Sequence, residues 1–311
     1  MPLFSLRHCA LFACTLALAC VPAARGDDLL DPTEWNLQSS LITDGRILGL
    51  FRESDHQFSD FISPMTNPVY FEDPRTLTEA RAIFINHSIP NGLGGGSVQL
   101  YATQLRAALT ENLSIIATKD GYIVSESPLL DDGFADVSAG LKLNVFKDVQ
   151  SQTLLSVGTV FEIPAGSHTA RQGNGSGEFH LFATGGTEFL PTWHFVSGSG
   201  FRLPTDTSAQ NQMWYWSSHI DKKIGHFYAF TECNWYYYMS SGNGLQAPIG
   251  GGDLFNLGSV AMAGQSAVTG AYGVKYKPNK HLELGVAYEI PYSQRRDLLQ
   301  NRLTVDLILR Y

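Results

Sequence analysis

The sequence predicts an all-β protein, an up-and-down antiparallel transmembrane β-barrel of about twelve strands with short periplasmic turns and long outer loops. Three observations predict it. From about Glu79 onward, apolar and polar residues alternate in segments of roughly ten residues, the period of a strand with two different faces. The connections between these segments are short and long in turn, as in a barrel built of hairpins. Charged residues make up only 16% of the chain, against about 25% in ordinary soluble domains. No second long apolar run follows the one at the N-terminus, which excludes a helical membrane protein.

The chain starts "MPLFSLRHCALFACTLALACVPAARGDD", with Arg7 and His8 before an apolar stretch from Cys9 to about Ala19. That layout is a secretory signal peptide over residues 1–26, with Ala24 and Gly26 placed for cleavage before Asp27. Its apolar stretch is shorter than the roughly 18 residues a membrane span needs. Cys9, Cys14 and Cys20 would leave with it, and Cys233 alone would remain, so no intramolecular disulfide is expected. Cleavage also removes Arg7 and Arg25, leaving 19 basic against 29 acidic residues, a net charge of −10. A nucleic-acid-binding surface needs the opposite sign.

Residues 27–78 are different: "FRESDHQFSDFISPMTNPVYFEDPRTLTEAR", residues 51–81, is too rich in proline and too poor in alternation for a barrel wall. They form either a periplasmic extension or a plug folded back into the barrel. The barrel itself is expected over 79–311.

Within it, "FADVSAGLKLNVF" sets Val137, Ala139, Leu141, Leu143 and Val145 on one face, and "HLELGVAYEI" does the same with Leu282, Leu284, Val286 and Tyr288. "AVTGAYGVKY" places Val268, Tyr272, Val274 and Tyr276 opposite Thr269, Gly273 and Lys275. Tight turns are expected near Glu111, Asp148, Thr187, Lys222 and Asn279. Glycine- and proline-rich stretches such as "PAGSHTARQGNGSG" and "SSGNGLQAPIGGGDLFNLG" form the long loops.

Aromatic residues mark both rims. Trp214, Trp216, Trp235 and Tyr237 are expected at the outer end of one hairpin, with Tyr276 and Tyr311 at the opposite rim, as two interfacial belts require. A soluble secreted β-sandwich would bury the same residues in its core. The final strand, "NRLTVDLILRY", alternates Leu303, Val305, Leu307, Leu309 and Tyr311 against Arg302, Thr304, Asp306 and Arg310. Leu307, Leu309 and the terminal Tyr311 resemble the C-terminal signal read by the barrel-assembly machinery of the outer membrane.

The block "DDGFADVSAGLKLNVF", followed by "LSVGTVFEIPAGS", resembles the outer-membrane barrel family named for the meta-pathway of phenol degradation. The matching positions are Gly133, Phe134, Ala135 and Asp136, then Gly140, Leu141 and Lys142, then Ile163, Pro164, Ala165 and Gly166, with Ala165 departing from the family's usual Thr. "FEDPRTLTEAR" and "GGDLFNLGS" are similar to a planctomycete-type subgroup of such barrels. Membership implies an outer-membrane barrel with a transport role.

Catalytic sets are thin. Ser218 with His180, His219 or His226 is the nearest material for lipid hydrolysis of the kind outer-membrane phospholipase barrels perform. Nothing in the sequence brings a nucleophile, a base and an orienting group together. His219 and His226 match no metal spacing, Asp131 and Asp132 read as a solvated acidic loop, and "GNGSG" lacks the Lys of a phosphate loop. No enzyme activity, cofactor or metal is expected. The polar face remains: Asp136, Lys142, Glu162, Glu232, Lys275, Glu283, Glu289, Arg302, Asp306 and Arg310 should point into the lumen. A wet lumen would hold them at little cost, whereas Lys or Arg at the lipid midplane costs about 2–4 kcal/mol. They either line a conducting pore or form lumenal salt-bridge ladders that brace the barrel and largely close it.

The expected function is an outer-membrane barrel that passes or binds small solutes, with lipid and the assembly machinery as partners. Its mixed, mildly acidic lumen would favour cations or neutral solutes. The alternatives are a structural or adhesion barrel and a soluble ligand-binding sandwich.

Overall fold

The structure is a computed structural model that describes residues 42–43, 46–47 and 49–311. The expected signal peptide, with Cys9, Cys14 and Cys20, lies outside the described residues. The chain divides into two units, one ending at Leu50 and one running from Phe51 to Tyr311. In the first, Ile42–Thr43 pairs antiparallel with Arg46–Ile47.

The second unit is a closed barrel. Its strands are β1 (Glu79–Ser88), β2 (Ser97–Ala108), β3 (Leu113–Lys119, resuming at Tyr122–Ser125) and β4 (Gly133–Phe134, resuming at Val137–Asp148). They continue as β5 (Thr153–Ile163), β6 (Glu178–Leu190), β7 (Trp193–Pro204) and β8 (Met213–Ile224). The last four are β9 (Phe227–Tyr238), β10 (Ser266–Asn279), β11 (Leu282–Pro291) and β12 (Asn301–Arg310). Every strand pairs antiparallel with its neighbours, and β1 closes the wall by pairing with both β12 and β2. Closure leaves no free edge.

The pleat sorts the side chains. Along β12, Arg302, Thr304, Asp306, Ile308 and Arg310 are buried, while Leu307 is exposed and Leu303, Val305 and Leu309 are half-buried. Along β4, Val137, Leu141, Leu143 and Val145 are exposed and Ser138, Lys142 and Asn144 are buried. The wall therefore turns its large apolar side chains outward and its charges inward, the arrangement of a barrel in lipid.

β3 breaks at Asp120 and Gly121, where the Asp120 carboxylate accepts the Thr103 N–H at 2.7 Å. Gly121 sits at φ +120°, and a Cβ there would meet the backbone of Tyr101 and Ala102. Only glycine lets the strand cross at that point.

Two turns lie later than the sequence suggested. Thr187 is inside β6, whose turn is Pro191 and Thr192, with Thr192 at φ 67°. Lys222 is likewise inside β8, which turns at Gly225 (φ 64°) and His226. In both cases strand pairing continues past the polar cluster, and the turn forms where a residue takes positive φ. The turns at 109–112, 149–152 and 280–281 lie where expected. The long loops 89–96, 126–132, 164–177, 205–212, 239–265 and 292–300 gather at the other end.

Candidate functional site in the lumen

Residues 51–78 run through the interior of this barrel. Prolines 64, 68 and 74 deny the segment the N–H groups that strand pairing needs. It enters at the short-turn end, where Arg52 N–H donates to Ala108 O and Ser54 N–H donates to Tyr311 O, both at 2.8 Å. Tyr311 N–H in turn donates to Thr78 O at 2.9 Å, so the chain terminus is tied to both ends of the segment. Salt bridges ring the entrance, Lys147–Asp55 and Lys223–Asp60 at 2.7 Å, Lys280–Glu53 at 3.1 Å and Arg52–Glu111 at 3.2 Å. Lys280 and His56 hold the Glu53 carboxyl below its ordinary value, against the upward push of partial burial.

Inside, the segment packs its apolar side chains on apolar wall residues. Phe58, Phe61 and Phe71 cluster with Leu154 and Val196, and Ile62 and Met65 cluster with Tyr228 and Phe230. It reverses at Asn67 (φ 52°), whose side-chain amide donates to Ser217 Oγ at 2.9 Å. Asn tolerates that left-handed backbone better than most residues. Beyond the bend, Tyr70 stacks on Tyr215 with ring centroids 5.0 Å apart.

Charges of the segment pair with one another and with charges of the inner wall. Asp73 takes Arg75 Nε at 3.0 Å and Nη2 at 2.7 Å. Glu232 accepts the N–H groups of Met65 and Thr66 at 2.8 and 2.6 Å, and faces His219 at 2.8 Å. Glu283 receives Arg310 at 2.8 Å, Lys277 at 3.2 Å and Lys275 at 3.4 Å. Asp306 pairs with Arg81 and Lys275 at 2.8 and 2.9 Å. Lys277 also reaches the carbonyls of Ser59 and Phe61.

The long loops add a second layer. Asp253, from loop 239–265, holds Arg302 in a two-pronged contact at 2.9 and 3.1 Å, and Glu289 lies 3.4 Å from the same guanidinium. Leu254 and Phe255 of that loop join Ile83, Ile85, Val98, Leu100 and Ile123 in an apolar cluster on the inner face of β1 to β3. In loop 292–300, burial pushes the Asp297 carboxyl up, against the pull of Gly250 N–H and Arg295. Cavities of about 30 and 20 Å³ are found beside these layers, room for roughly a water or two each.

Ion-pair ladders of the kind expected as the alternative to a wet lumen fill the interior. Lys275 and Glu283 are fully shielded from solvent, so their desolvation is offset by pairing and not by water. All ten residues expected to face inward, Asp136, Lys142, Glu162, Glu232, Lys275, Glu283, Glu289, Arg302, Asp306 and Arg310, are buried. Trp214, Trp216, Trp235 and Tyr237 stand on the outer face of β8 and β9 near the long loops, with the rings of Trp214 and Trp235 edge to face at 5.1 Å. Tyr276 lies near the opposite end, 5.0 Å from Phe227. Leu307 and Leu309 are on the outer face of β12. Ser218 and His219 are adjacent in β8 and point to opposite faces, and His226 is exposed at the turn.

No family model matches the chain, and no curated protein matches it in sequence. Solved structures do match. An outer membrane channel from Pseudomonas putida F1 superposes with a TM-score of 0.56 at 10% identity, covering 81% of this chain and 100% of that one. The NanC porin superposes at 0.48 with 8% identity over 75% of this chain and 100% of its own, and the KdgM porin at 0.44 with 9% identity over 75% and 99%. The chain has the fold of an outer-membrane barrel.

Several residues of this barrel's interior were not among those expected to face the lumen. Arg81, Arg106, Lys119, Glu178, His180, His194, Arg202 and Lys277 are all buried and charged or polar. Their parity on the strands was the available signal. In β1 and β2 it was masked, because Ile83, Ile85, Val98 and Leu100 share the inner face with Arg81 and Arg106. Glu72, Asp73 and Arg75 lie in the segment without alternation, where no periodicity points to a face.

Proposed function

We propose that this chain is an outer-membrane barrel that passes or binds small solutes, and that residues 51–78 keep its lumen closed at rest. One observation carries the reading. Backbone bonds tie the inner segment to the wall at its two ends, Arg52 to Ala108 and Ser54 and Thr78 to Tyr311, and between them it is held by side chains and packing, with Glu232, Lys142 and Lys277 bonded to its backbone. Such contacts can be exchanged for water while the wall stays intact. The short turns then face the periplasm and the long loops face outward. The exposed apolar band contacts lipid, flanked by the belts of Trp214, Trp216, Trp235 and Tyr237 and of Tyr276 and Tyr311.

Leu307, Leu309 and Tyr311 serve as the assembly signal. The resemblance to the meta-pathway barrels supports a transport role, as does the channel fold, and the acidic excess favours cations or neutral solutes. A structural barrel is the second reading, favoured by the density of internal ion pairs. Liposome swelling with neutral sugars of graded size decides between them. A transport barrel speeds swelling once the inner segment is loosened by Glu232→Ala, and a structural barrel leaves swelling at the rate of empty liposomes in both forms.

A further inference from the structure

We propose a divalent metal-ion site at the loop end of the lumen, formed by Glu162, Glu178 and His180, with the imidazole-and-carboxylate chemistry that suits zinc. One donor atom of each residue lies within 4.8 Å of the others, and all three residues are buried. His180 Nε2 is 3.1 Å from Glu178 Oε1 and 3.8 Å from Glu162 Oε2. Tetrahedral ligands about 2.0–2.1 Å from a zinc ion stand at comparable separations from one another.

The site is built by the fold. Glu162 on β5 and Glu178 on β6 are direct cross-strand partners, and His180 follows on the same face two residues later. Like charges placed opposite each other on a sheet repel, and burial sharpens the conflict. Glu162 has one oxygen engaged by the protein, and Glu178 has both, its Oε1 meeting His180 Nε2 at 3.1 Å. Lys119 Nζ donates to Glu162 Oε1 at 2.5 Å, and Asn256 and Gln210 donate to Glu178 Oε2 at 2.7 and 3.3 Å. The other oxygen of Glu162, Oε2, has no hydrogen-bond partner although the residue is only 2% exposed, and it is aimed at His180. A buried carboxylate oxygen without a donor is the group a cation satisfies. Asp136 lies 3.9 Å from Lys119, and Arg202 lies 3.9 Å from Glu178. Three carboxylates therefore face two fixed cations, and a dication meets a net negative environment. Because Asn256 and Gln210 come from loops 239–265 and 205–212, a bound ion would stiffen the seat on which those loops rest.

The test is zinc chloride titrated by calorimetry into the whole mature chain, refolded in detergent and stripped with chelator. One equivalent should bind, with affinity reduced at least about tenfold by Glu162→Gln and by His180→Ala, and unchanged by His226→Ala at the exposed turn. Heat-modifiable mobility reports whether each variant has folded. X-ray absorption on the unmodified zinc complex needs no variant, and should show one imidazole nitrogen with carboxylate oxygens. Absence of stoichiometric binding overturns the proposal, as does binding that survives both inner substitutions, or a first shell holding two or more imidazoles.

Discussion

Glu72 grips Arg106 with both carboxylate oxygens, at 2.7 Å to Nε and 2.6 Å to Nη2, joining the inner segment to β2. Lys142 reaches the same carboxylate at 2.8 Å, and Arg106 also meets Glu79 at 3.0 Å. Substituting Arg106→Ala leaves two buried carboxylates short of a partner. It should destabilise the barrel by about 3–5 kcal/mol, measured by denaturant unfolding in detergent. Adding Glu72→Gln to Arg106→Ala should recover part of the loss, since the stranded charge is then gone.

Glu232 holds the inner segment by its backbone, through Met65 and Thr66. Hydrogen bonds to a charged acceptor contribute about 1.5–3 kcal/mol each. In a Cys233→Ser background, maleimide labelling of Thr66→Cys should therefore accelerate at least about tenfold when Glu232→Ala is added. An unchanged rate would mean that the apolar packing alone retains the segment.

The two faces of the wall should respond differently to charge. Val286 is 46% exposed on the outer face of β11, opposite Val274 and Val305. Val286→Arg should cost about 2–4 kcal/mol in folding into lipid vesicles. Ser208→Arg, on an exposed loop, should change stability by no more than about 0.5 kcal/mol.

Gly285 gives Met65 its room. A Cβ at this position would lie 2.5 Å from both Met65 Sδ and Asp306 Oδ1. Gly285→Ala should cost about 1–3 kcal/mol by overpacking. Met65→Ala in the same chain should relieve it, and a double-variant cycle by thermal unfolding reads the coupling.

The wall was legible in the sequence because a barrel strand writes its two faces into alternate residues, as Leu303 to Tyr311 show. The closed strand order followed from turn and loop alternation. What fills the wall was not legible. Glu72 and Arg106 are separated by 34 residues, and their pairing depends on a proline-rich segment whose path no period records. The meeting of Glu162 and Glu178 was not legible either: Glu162 reads as one inward carboxylate, and only the register of β5 and β6 sets Glu178 opposite it. The turn expected at Thr187 shows the same limit, since a polar cluster on a strand looks like a turn until positive φ at Thr192 marks the reversal.

The most direct test of the closed lumen is single-channel recording in planar bilayers, comparing the mature chain with a form lacking residues 51–74, each confirmed as folded by heat-modifiable mobility. The full chain should stay closed for most of the record, and the shortened one should give steady conductance steps with a preference for cations. A shortened barrel that folds and remains silent, or a full chain that conducts equally well, would contradict the account.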